Sequence, residues 1–255
     1  MEKINHAMRS LNIPKPSLPP SPKSTECPIC KGVGYISYDL PVGHPEFGRI
    51  YPCRCRTGES VQEMAKLSGL TEKERKLRLS MFTTGGRPGT TAMLKACHSF
   101  VKDPVGILTL WGGVGNGKTM CLQAVVNELI ERGVMSVYIT AFDLFSHIRD
   151  AFNAQREITS ESAYNRLLRF EKVRVLAIDE LDKVRPTDWM LEQLTNLVDK
   201  RHRRGLDRTN GTLIAMNTDP ALQDDWIASR LMDGRNQMVH NTDADLRPVL
   251  KRMYE

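Results

Sequence analysis

The residues with the clearest chemical meaning lie near the middle of the chain, where Gly112–Thr119 reads GGVGNGKT. This segment fits the pattern G-x-x-x-x-G-K-[ST], in which glycines let successive backbone N–H groups turn towards phosphate oxygens. In that pattern Lys118 reaches the β- and γ-phosphates, and the Thr119 hydroxyl is a ligand of Mg²⁺. The spacing predicts a nucleoside triphosphate site made by the loop and the residue after it: Gly112, Gly113, Val114, Gly115, Asn116, Gly117, Lys118, Thr119 and Met120.

Two further groups of polar residues follow apolar runs later in the chain. Asp179 and Glu180 come directly after VRVLAI, and Asn217 comes directly after TLIAM. Beside the phosphate loop, Asp179 would hold Mg²⁺ through water, and Glu180 would orient and deprotonate the attacking water. An amide at Asn217 could hydrogen-bond the γ-phosphate or the same water. Solvent-exposed acids and turn-forming asparagines also end strands, so these residues indicate hydrolysis only in combination with the loop.

The segments between these motifs alternate between strands and helices. Strands are predicted at Ile107–Trp111, Val134–Thr140, Val173–Ile178 and Thr212–Met216, and helices at Met120–Ile130, Phe142–Phe152, Ser160–Phe170, Asp188–Arg204 and Pro220–Arg230. This alternation predicts an α/β fold with a mostly parallel sheet covered by helices on both sides. Ligands of such sheets bind beyond the carboxyl ends of the strands, which is where the loop and the acidic pair would meet.

The first third of the chain has a different composition. Residues 1–24 are rich in proline and predict an extended tail without regular helix or strand. Residues 25–60 form a module that bears cysteines, and residues 61–84 a helical linker that includes the charged segment Glu72–Leu79. The segment Thr83–Thr91 (TTGGRPGTT) predicts a break, and residues 85–255 form the large α/β domain.

The cysteine module contains two closely spaced pairs of thiols, Cys27 with Cys30 and Cys53 with Cys55. Four cysteines in this arrangement favour a zinc site over disulfides in a cytosolic protein, and a closed set of four ligands would be structural. The Cys53-Arg-Cys55 pair has only one intervening residue, so His44 could replace one of the cysteines. The alternative is a set of free thiols in a loop, which would leave this segment without a visible core.

Composition sets the broad class of the chain. It has 255 residues, of which 40% are hydrophobic and 26% are charged, a balance typical of globular proteins. No apolar run approaches the length needed to cross a bilayer, and the N-terminus lacks a secretory signal, so we expect a cytoplasmic location. The net charge of +6 is compatible with nucleic-acid binding. The densest basic cluster, Lys200–Arg204, could contact DNA or could be a solvated helix end.

Several motifs together resemble the DnaC/DnaI-type replicative helicase loaders and the related IstB-type transposition ATPases of the AAA+ class. They are LTLWGGVGNGKT, VYITAFDLF, VLAIDEL, EQLTNLVDKRHRRGL, LIAMNT, IASRL and DADLR, and they span roughly Phe82 to Arg247. By this resemblance Lys118 and Thr119 are the Walker A pair, and Asp179 and Glu180 are the Walker B pair. Asn217 and Arg230 match the first sensor and an arginine finger that acts on a neighbouring subunit. The residue four before that arginine is often a second arginine in these loaders, but here it is Trp226.

The resemblance implies a P-loop AAA+ domain preceded by a zinc-binding module. It also implies a weak ATPase stimulated by its partner or DNA, with Mg²⁺ as cofactor and ATP bound between the subunits of a homo-oligomer. The expected partners are a bacterial or phage hexameric helicase and single-stranded DNA. An IstB-like helper of a DNA transposase is the nearest alternative. A small-molecule kinase and a non-catalytic adaptor that uses ATP only to set its shape are further alternatives.

Overall fold

The computed structural model describes residues 35–37, 50–52, 65–66, 68–154 and 168–246. Contacts divide the chain into two units, Met1–Glu59 and Ser60–Glu255. In the first unit, strands β1 (Tyr35–Ser37) and β2 (Ile50–Pro52) form an antiparallel pair in which Tyr35 lies opposite Pro52.

The predicted zinc ligands, Cys27, Cys30, Cys53 and Cys55, lie outside the described residues, as does the alternative ligand His44. Within the described ranges, no group of three or more histidine, cysteine or acidic side chains could hold a metal ion. The two described cysteines, Cys97 and Cys121, are buried free thiols. The zinc site therefore stays a prediction.

The second unit contains the α/β domain. Its elements in chain order are α1 (Pro88–Lys102), β3 (Gly106–Gly112), α2 (Lys118–Glu131), β4 (Ser136–Thr140), α3 (Ala141–Ala154), β5 (Val175–Asp179), α4 (Asp188–Leu206), β6 (Gly211–Met216), α5 (Asp225–Leu231) and β7 (Gln237–Asn241). Short 3₁₀ turns lie at Glu74–Lys76, Leu79–Met81 and Pro220–Leu222.

The five strands of this unit form one parallel sheet with the order β4-β5-β6-β3-β7. The register places Trp111 opposite Met216 and His240, and Thr140 opposite Asp179. Because all strands run in one direction, the residues that follow β3, β5 and β6 emerge at the same edge. The prediction of a parallel α/β sheet is confirmed, and the fifth strand, β7, is an addition to it.

Helices cover both faces of the sheet. Successive strand residues point to opposite sides, so each strand contributes side chains to both helix layers. Leu108 and Leu110 of β3 pack with buried residues of α1 and α2, whereas Ile107 packs with buried residues of α3, α4 and α5. The same alternation occurs in β5, where Ala177 faces the first group and Ile178 the second. Across the described ranges, no helix combines the length and the apolar character that a membrane crossing requires.

Three predicted elements differ from the structure. Glu72–Leu79 is not one helix. The structure has two short 3₁₀ turns there, Glu74–Lys76 and Leu79–Met81. The backbone carbonyls of Glu74 and Leu77 accept hydrogen bonds from the Asn127 side chain of α2, so tertiary contacts replace helical ones. The predicted break at Thr83–Thr91 ends early, since Pro88 begins α1 as its first residue.

The predicted helix Pro220–Arg230 is two pieces, a 3₁₀ turn and α5. Asp219 caps the first piece by accepting from the Ala221 N–H, and Asp224 caps the second by accepting from the Trp226 N–H. Two separate caps explain why the helix is interrupted. Most of the predicted helix Ser160–Phe170 lies outside the described residues; residues 168–172 are helical.

Candidate active site

The phosphate loop connects β3 to α2 at the carboxyl edge of the sheet. Gly112 has a φ of 129°, and a Cβ atom there would collide with the backbone carbonyl oxygen of Asn241 in β7. Gly117 precedes the first residue of α2 in the left-handed conformation, with a φ of 90°. The loop therefore needs glycine at both ends, and it delivers the N-terminus of a 14-residue helix to the bound phosphates.

The Lys118 side chain lies within this loop and is 7% exposed. Its ammonium donates to the carbonyl oxygens of Gly112 and Gly113 at 2.7 and 2.6 Å, and to Asn116 Oδ1 at 3.0 Å. Asn116 in turn donates from Nδ2 to the Asn241 carbonyl oxygen at 3.1 Å. The lysine is thus held at the loop by three acceptors, one of which, Asn116, is itself fixed to β7.

Asp179 is the last residue of β5 and is 3% exposed. Its Oδ2 accepts from the Tyr138 hydroxyl at 2.9 Å, and its Oδ1 accepts from the Glu180 N–H at 2.9 Å. Burial raises the pKa of Asp179, while hydrogen bonds from Thr119 and Tyr138 oppose that rise. The contact between Thr119 and Asp179 brings together the two residues predicted to hold Mg²⁺.

Glu180 follows in an unusual backbone conformation. Its φ of 58° places a residue other than glycine in the left-handed region, which is rare and is found preferentially at functional sites. The half-exposed carboxylate forms an ion pair with Lys183, three residues further along the chain. The sequence did not indicate Lys183, which lies beside the acidic pair at the same cavity.

Asn217 comes directly after β6, and its backbone is tied to the acidic loop. Asp182 Oδ2 accepts from the N–H groups of Asn217 and Thr218 at 2.9 and 2.8 Å. Since Asp182 lies three residues after Asp179, one carboxylate fixes the position of the predicted sensor relative to the acidic pair. Sequence reasoning missed Asp182, because nothing in the run DELDK separates a structural acid from a catalytic one.

The last described residues also reach the phosphate loop. Asp243 caps α1 by accepting from the Thr90 N–H and hydroxyl at 2.6 and 2.7 Å. The Leu246 N–H donates to the Gly115 carbonyl oxygen at 3.1 Å. The Asp245 carboxylate lies so close to Gly115 that a Cβ atom there would collide with it. The segment at Asp243–Leu246 therefore packs against the loop and explains a third obligatory glycine, Gly115.

Some of these groups line one cavity of about 430 Å³ at the carboxyl edge of the sheet. It is of the size that holds a small-molecule ligand or cofactor. Of the predicted residues it brings together the loop from Val114 to Met120, the acidic pair and Asn217.

Arg230, in contrast, lines a different cavity together with Trp226, Asp199 and Arg203. Its Nε lies 2.8 Å from Asp199 Oδ1, and the Arg203 guanidinium lies 2.6 Å from Asp199 Oδ2. The hydrogen bond from Arg230 lowers the pKa of Asp199, so this carboxylate stays charged between the two arginines. The side chain of Trp226 is 66% exposed beside them.

The basic cluster Lys200–Arg204 separates into buried and exposed members. Arg201 is 1% exposed and His202 is buried, so neither offers its charge to a DNA surface. Lys200 and Arg203 are exposed, and they pair with Glu171 and Asp199. The cluster is mainly the C-terminal part of α4, where cations suit the helix dipole.

Comparisons with known proteins agree with this geometry. A family model described as an AAA domain matches residues 102–214. The uncharacterized protein YqaM of Bacillus subtilis (strain 168) is 29% identical over 163 residues, which cover 59% of this chain and 50% of that protein. The replicative helicase loader DnaC of Buchnera aphidicola subsp. Baizongia pistaciae (strain Bp) is 28% identical over 117 residues, 46% of each chain. The chain thus spans about half the length of the curated relatives it matches.

Solved structures show the same fold. A crystal structure of DnaI superimposes with a TM-score of 0.54 at 20% identity, covering 70% of this chain and 94% of that one. A crystal structure of the DnaC helicase loader gives 0.51 at 19% identity, covering 68% and 100%. AMPPCP-bound DnaA from Aquifex aeolicus gives 0.56 at 18% identity, covering 70% and 54%. The large unit of this chain therefore has the P-loop AAA fold, with sequence similarity to a replicative helicase loader.

Proposed function

We propose that this chain is an ATP-dependent loader of a replicative DNA helicase onto single-stranded DNA. One observation carries the proposal: the phosphate loop, the acidic pair and Asn217 line a single cavity at the carboxyl edge of a parallel sheet. The sequence similarity to a replicative helicase loader supports this function over other uses of the AAA fold.

The residues present fit a nucleotide with its magnesium ion. The loop turns at glycines whose Cβ atoms would collide with neighbouring groups, and it ends at the N-terminus of α2. The Lys118 ammonium lies at the same loop, and phosphate oxygens would offer it stronger, charged acceptors than carbonyl groups do. Thr119 and the buried Asp179 would hold the ion. When bound, ATP would supply the γ-phosphate, and Mg²⁺ would neutralise the negative charge that develops during its transfer.

The chain's own residues would then carry out hydrolysis. Glu180 would accept the proton of the attacking water after its carboxylate separates from Lys183. Asn217 would orient that water or the γ-phosphate, and Asp182 fixes the backbone from which it acts. The proposed activity is weak until DNA or the partner stimulates it.

Arg230 is proposed to act on the nucleotide of a neighbouring subunit in a homo-oligomer. Its placement supports this, since it lines a cavity other than the one formed by the phosphate loop of its own chain. In that role it would leave Asp199 and stabilise charge at the γ-phosphate, an effect worth ~10³–10⁵ in rate where such fingers operate.

Zinc binding by Cys27, Cys30, Cys53 and Cys55 remains part of the proposal. The antiparallel pairing of β1 with β2 supports it. The two strands lie near the two ends of the stretch between Cys30 and Cys53, so their pairing brings those ends together. Metal analysis of purified protein should find one zinc per chain, and a Cys27→Ser, Cys30→Ser variant should release it. A protein that contains no zinc, with all four thiols freely reactive in the native state, would refute the module.

A mixing experiment tests the ATPase and its oligomer. Arg230→Ala and Lys118→Ala should each hydrolyse ATP at a small fraction of the wild-type rate. Mixed together they should recover activity, because an intact loop on one chain can meet an intact arginine on another. Arg208→Ala, an exposed arginine paired with Asp103, is the matched control and should behave as wild type. A mixture no more active than its components would count against action between subunits.

A loading assay tests the partner. Excess chain with ATP should increase unwinding of forked DNA by a hexameric replicative helicase, and the chain should retain that helicase in a pull-down. Retention of a transposase instead would identify an IstB-like helper. Loss of loading in Lys118→Ala without any loss in Glu180→Gln would identify an adaptor that needs ATP binding alone. Phosphate transfer to a small acceptor, unaffected by Arg230→Ala, would identify a kinase.

A further inference from the structure

One side chain that contacts Asp179 is Tyr138, a residue of the neighbouring strand β4. Thr140 lies opposite Asp179 in the register of β4 with β5, so Tyr138 is two residues back on the same face. Its hydroxyl donates to Asp179 Oδ2 at 2.9 Å, and both side chains are nearly inaccessible to solvent. The other carboxylate oxygen accepts from the Glu180 backbone. Asp179 is therefore held on both oxygens before any ligand arrives.

A second polar side chain approaches Tyr138 from helix α2. Burial and then the Asp179 carboxylate raise the pKa of Tyr138 well above its usual range, and a hydrogen bond from Gln123 opposes that rise. The phenol therefore stays protonated and donates to Asp179. Gln123 is 5% exposed, and its Nε2 donates to Glu74 Oε1 at 2.7 Å.

Glu74 belongs to the segment 68–82, which precedes the sheet and packs on α2 and β4. Its carboxylate also accepts from the Thr71 N–H and hydroxyl at 2.8 and 2.7 Å. The Asn127 side chain of α2 holds the Glu74 carbonyl oxygen at 2.7 Å. The same segment reaches Tyr138 directly, since the Tyr138 N–H donates to the Ser68 carbonyl oxygen at 2.7 Å. Two routes thus connect this segment to one tyrosine.

We propose that Tyr138 is a positioning residue for Asp179, and that the segment 68–82 sets the position of Tyr138 through Ser68 and Gln123. A carboxylate fixed on one oxygen by a phenol keeps its remaining lone pairs directed towards the ion beside Thr119. Without the phenol, Oδ2 loses this buried donor and the carboxylate is held less firmly, since the Glu180 N–H fixes only the other oxygen. This inference rests on the proposed function and adds a regulatory element to it. A partner that displaces the segment 68–82 would weaken magnesium-dependent nucleotide binding.

Equilibrium binding of a fluorescent ATP analogue, measured against Mg²⁺ concentration, tests the first step. Tyr138→Phe should raise the Mg²⁺ concentration for half-maximal binding about tenfold, close to the smallest loss expected for one hydrogen bond to a charged group. Binding in EDTA should be unchanged. Thr109→Val is the matched control: it removes a buried hydroxyl of β3 that has no hydrogen-bond partner among the described residues, and it should leave the Mg²⁺ midpoint unaltered.

The outcomes separate this inference from the function on which it rests. A wild-type chain that binds no nucleotide would remove the proposed function itself. A wild-type chain that binds in a magnesium-dependent way, beside a folded Tyr138→Phe variant with the same midpoint, would overturn the positioning role alone. Equal weakening with and without Mg²⁺ would also overturn it, because a general structural defect affects both.

A double-mutant cycle tests the connection to the segment 68–82. Gln123→Met removes the polar link while keeping a side chain of similar length, and it should raise the Mg²⁺ midpoint about threefold in the wild-type background. In the Tyr138→Phe background it should have no further effect, because the route to Asp179 is already broken. Full additivity of the two changes would overturn the connection.

Discussion

Two cations lie buried at opposite edges of the same sheet, and they differ in what surrounds them. Lys118, at the carboxyl edge, is 7% exposed and lines the large cavity with its ammonium on loop carbonyls. Arg201, at the amino edge, is 1% exposed. It donates to five acceptors, which lie at the start of β6 and in the helical turn and the residue that precede β5. They are Thr212 Oγ1 and the carbonyl oxygens of Phe170, Glu171, Val173 and Gly211.

The difference shows how a buried charge can be assigned to function or to structure. Burial lowers the pKa of Arg201 to about 9, with Arg204 and Arg174 adding to the effect, yet the group remains charged at neutral pH. Its donors are occupied by four backbone carbonyls and the Thr212 hydroxyl, so it holds α4 against the sheet. Lys118 borders open space, so its donors can be transferred to a ligand. Burial alone does not distinguish the two cases; an adjoining cavity does.

The largest expected effect comes from Lys118→Ala. Nucleotide turnover should fall about 10³-fold, because a charge aimed at the reacting phosphate is lost. The free energy of unfolding should change by less than about 1 kcal/mol, since water from the cavity can reach the freed carbonyls. Steady-state hydrolysis and urea unfolding measure the two quantities. A large loss of stability would show that Lys118, like Arg201, mainly stabilises the fold.

Arg201→Met should have the opposite profile. Five acceptors lose a shared donor in a dry interior, which should lower the free energy of unfolding by about 3 kcal/mol. Nucleotide affinity of the remaining folded protein should be unchanged, because the residue lies at the far edge of the sheet. Arg208→Met, an exposed arginine in an ion pair with Asp103, is the control and should stay within about 0.5 kcal/mol of wild type. Equal effects of the two changes would break the comparison.

Asn116→Ala sharpens the comparison at the loop. It removes an acceptor of Lys118 and the link to the Asn241 carbonyl oxygen. We expect nucleotide affinity to fall about tenfold, measured by equilibrium binding of a fluorescent ATP analogue. Asn116→Asp keeps the acceptor for Lys118 but loses the donor, so it should retain more affinity than the alanine variant. The reverse order would mean that the added negative charge of the aspartate, which repels the phosphates, outweighs the retained contact with Lys118.

The smallest expected effect is that of Thr212→Val, which removes one of the five acceptors of Arg201. Thermal unfolding should report a loss of about 1 kcal/mol. Thr109→Val removes a buried hydroxyl that has no hydrogen-bond partner within the described part of the chain, so it should cost nothing. If the two variants lose stability equally, the hydrogen bond to Arg201 is not the cause.

Elements with strong local patterns could be predicted from the sequence. The four predicted strands, and the predicted helices that correspond to α2, α3 and α4, occur close to their expected positions. Apolar runs and helical spacing are local signals. Strand β7 (QMVHN) has no such pattern: of its residues only Val239 and Asn241 are buried. Its position depends on main-chain pairing with β3, which no local pattern reveals.

The site divides in the same way. The loop, the acidic pair and Asn217 were identified because each follows a strand with a recognisable spacing, and the structure places them at one cavity. Tyr138, Asp182 and Lys183 were not identified, because their importance depends on which residues lie opposite them in the folded chain. The charged segment Glu72–Leu79 was predicted as a helix because its contacts with Asn127, 50 and 53 residues away, were invisible to local reasoning.

The left-handed backbone of Glu180 has a consequence for how this protein could be made more robust. A glycine there would relieve the steric clash, a gain of about 1 kcal/mol in resistance to denaturation, but it would discard the carboxylate. Any selection or redesign that rewards thermal stability alone should therefore favour glycine at this position. The resulting protein would be more stable but inactive. Retention of glutamate in a selection that also requires function would be a sign that turnover matters.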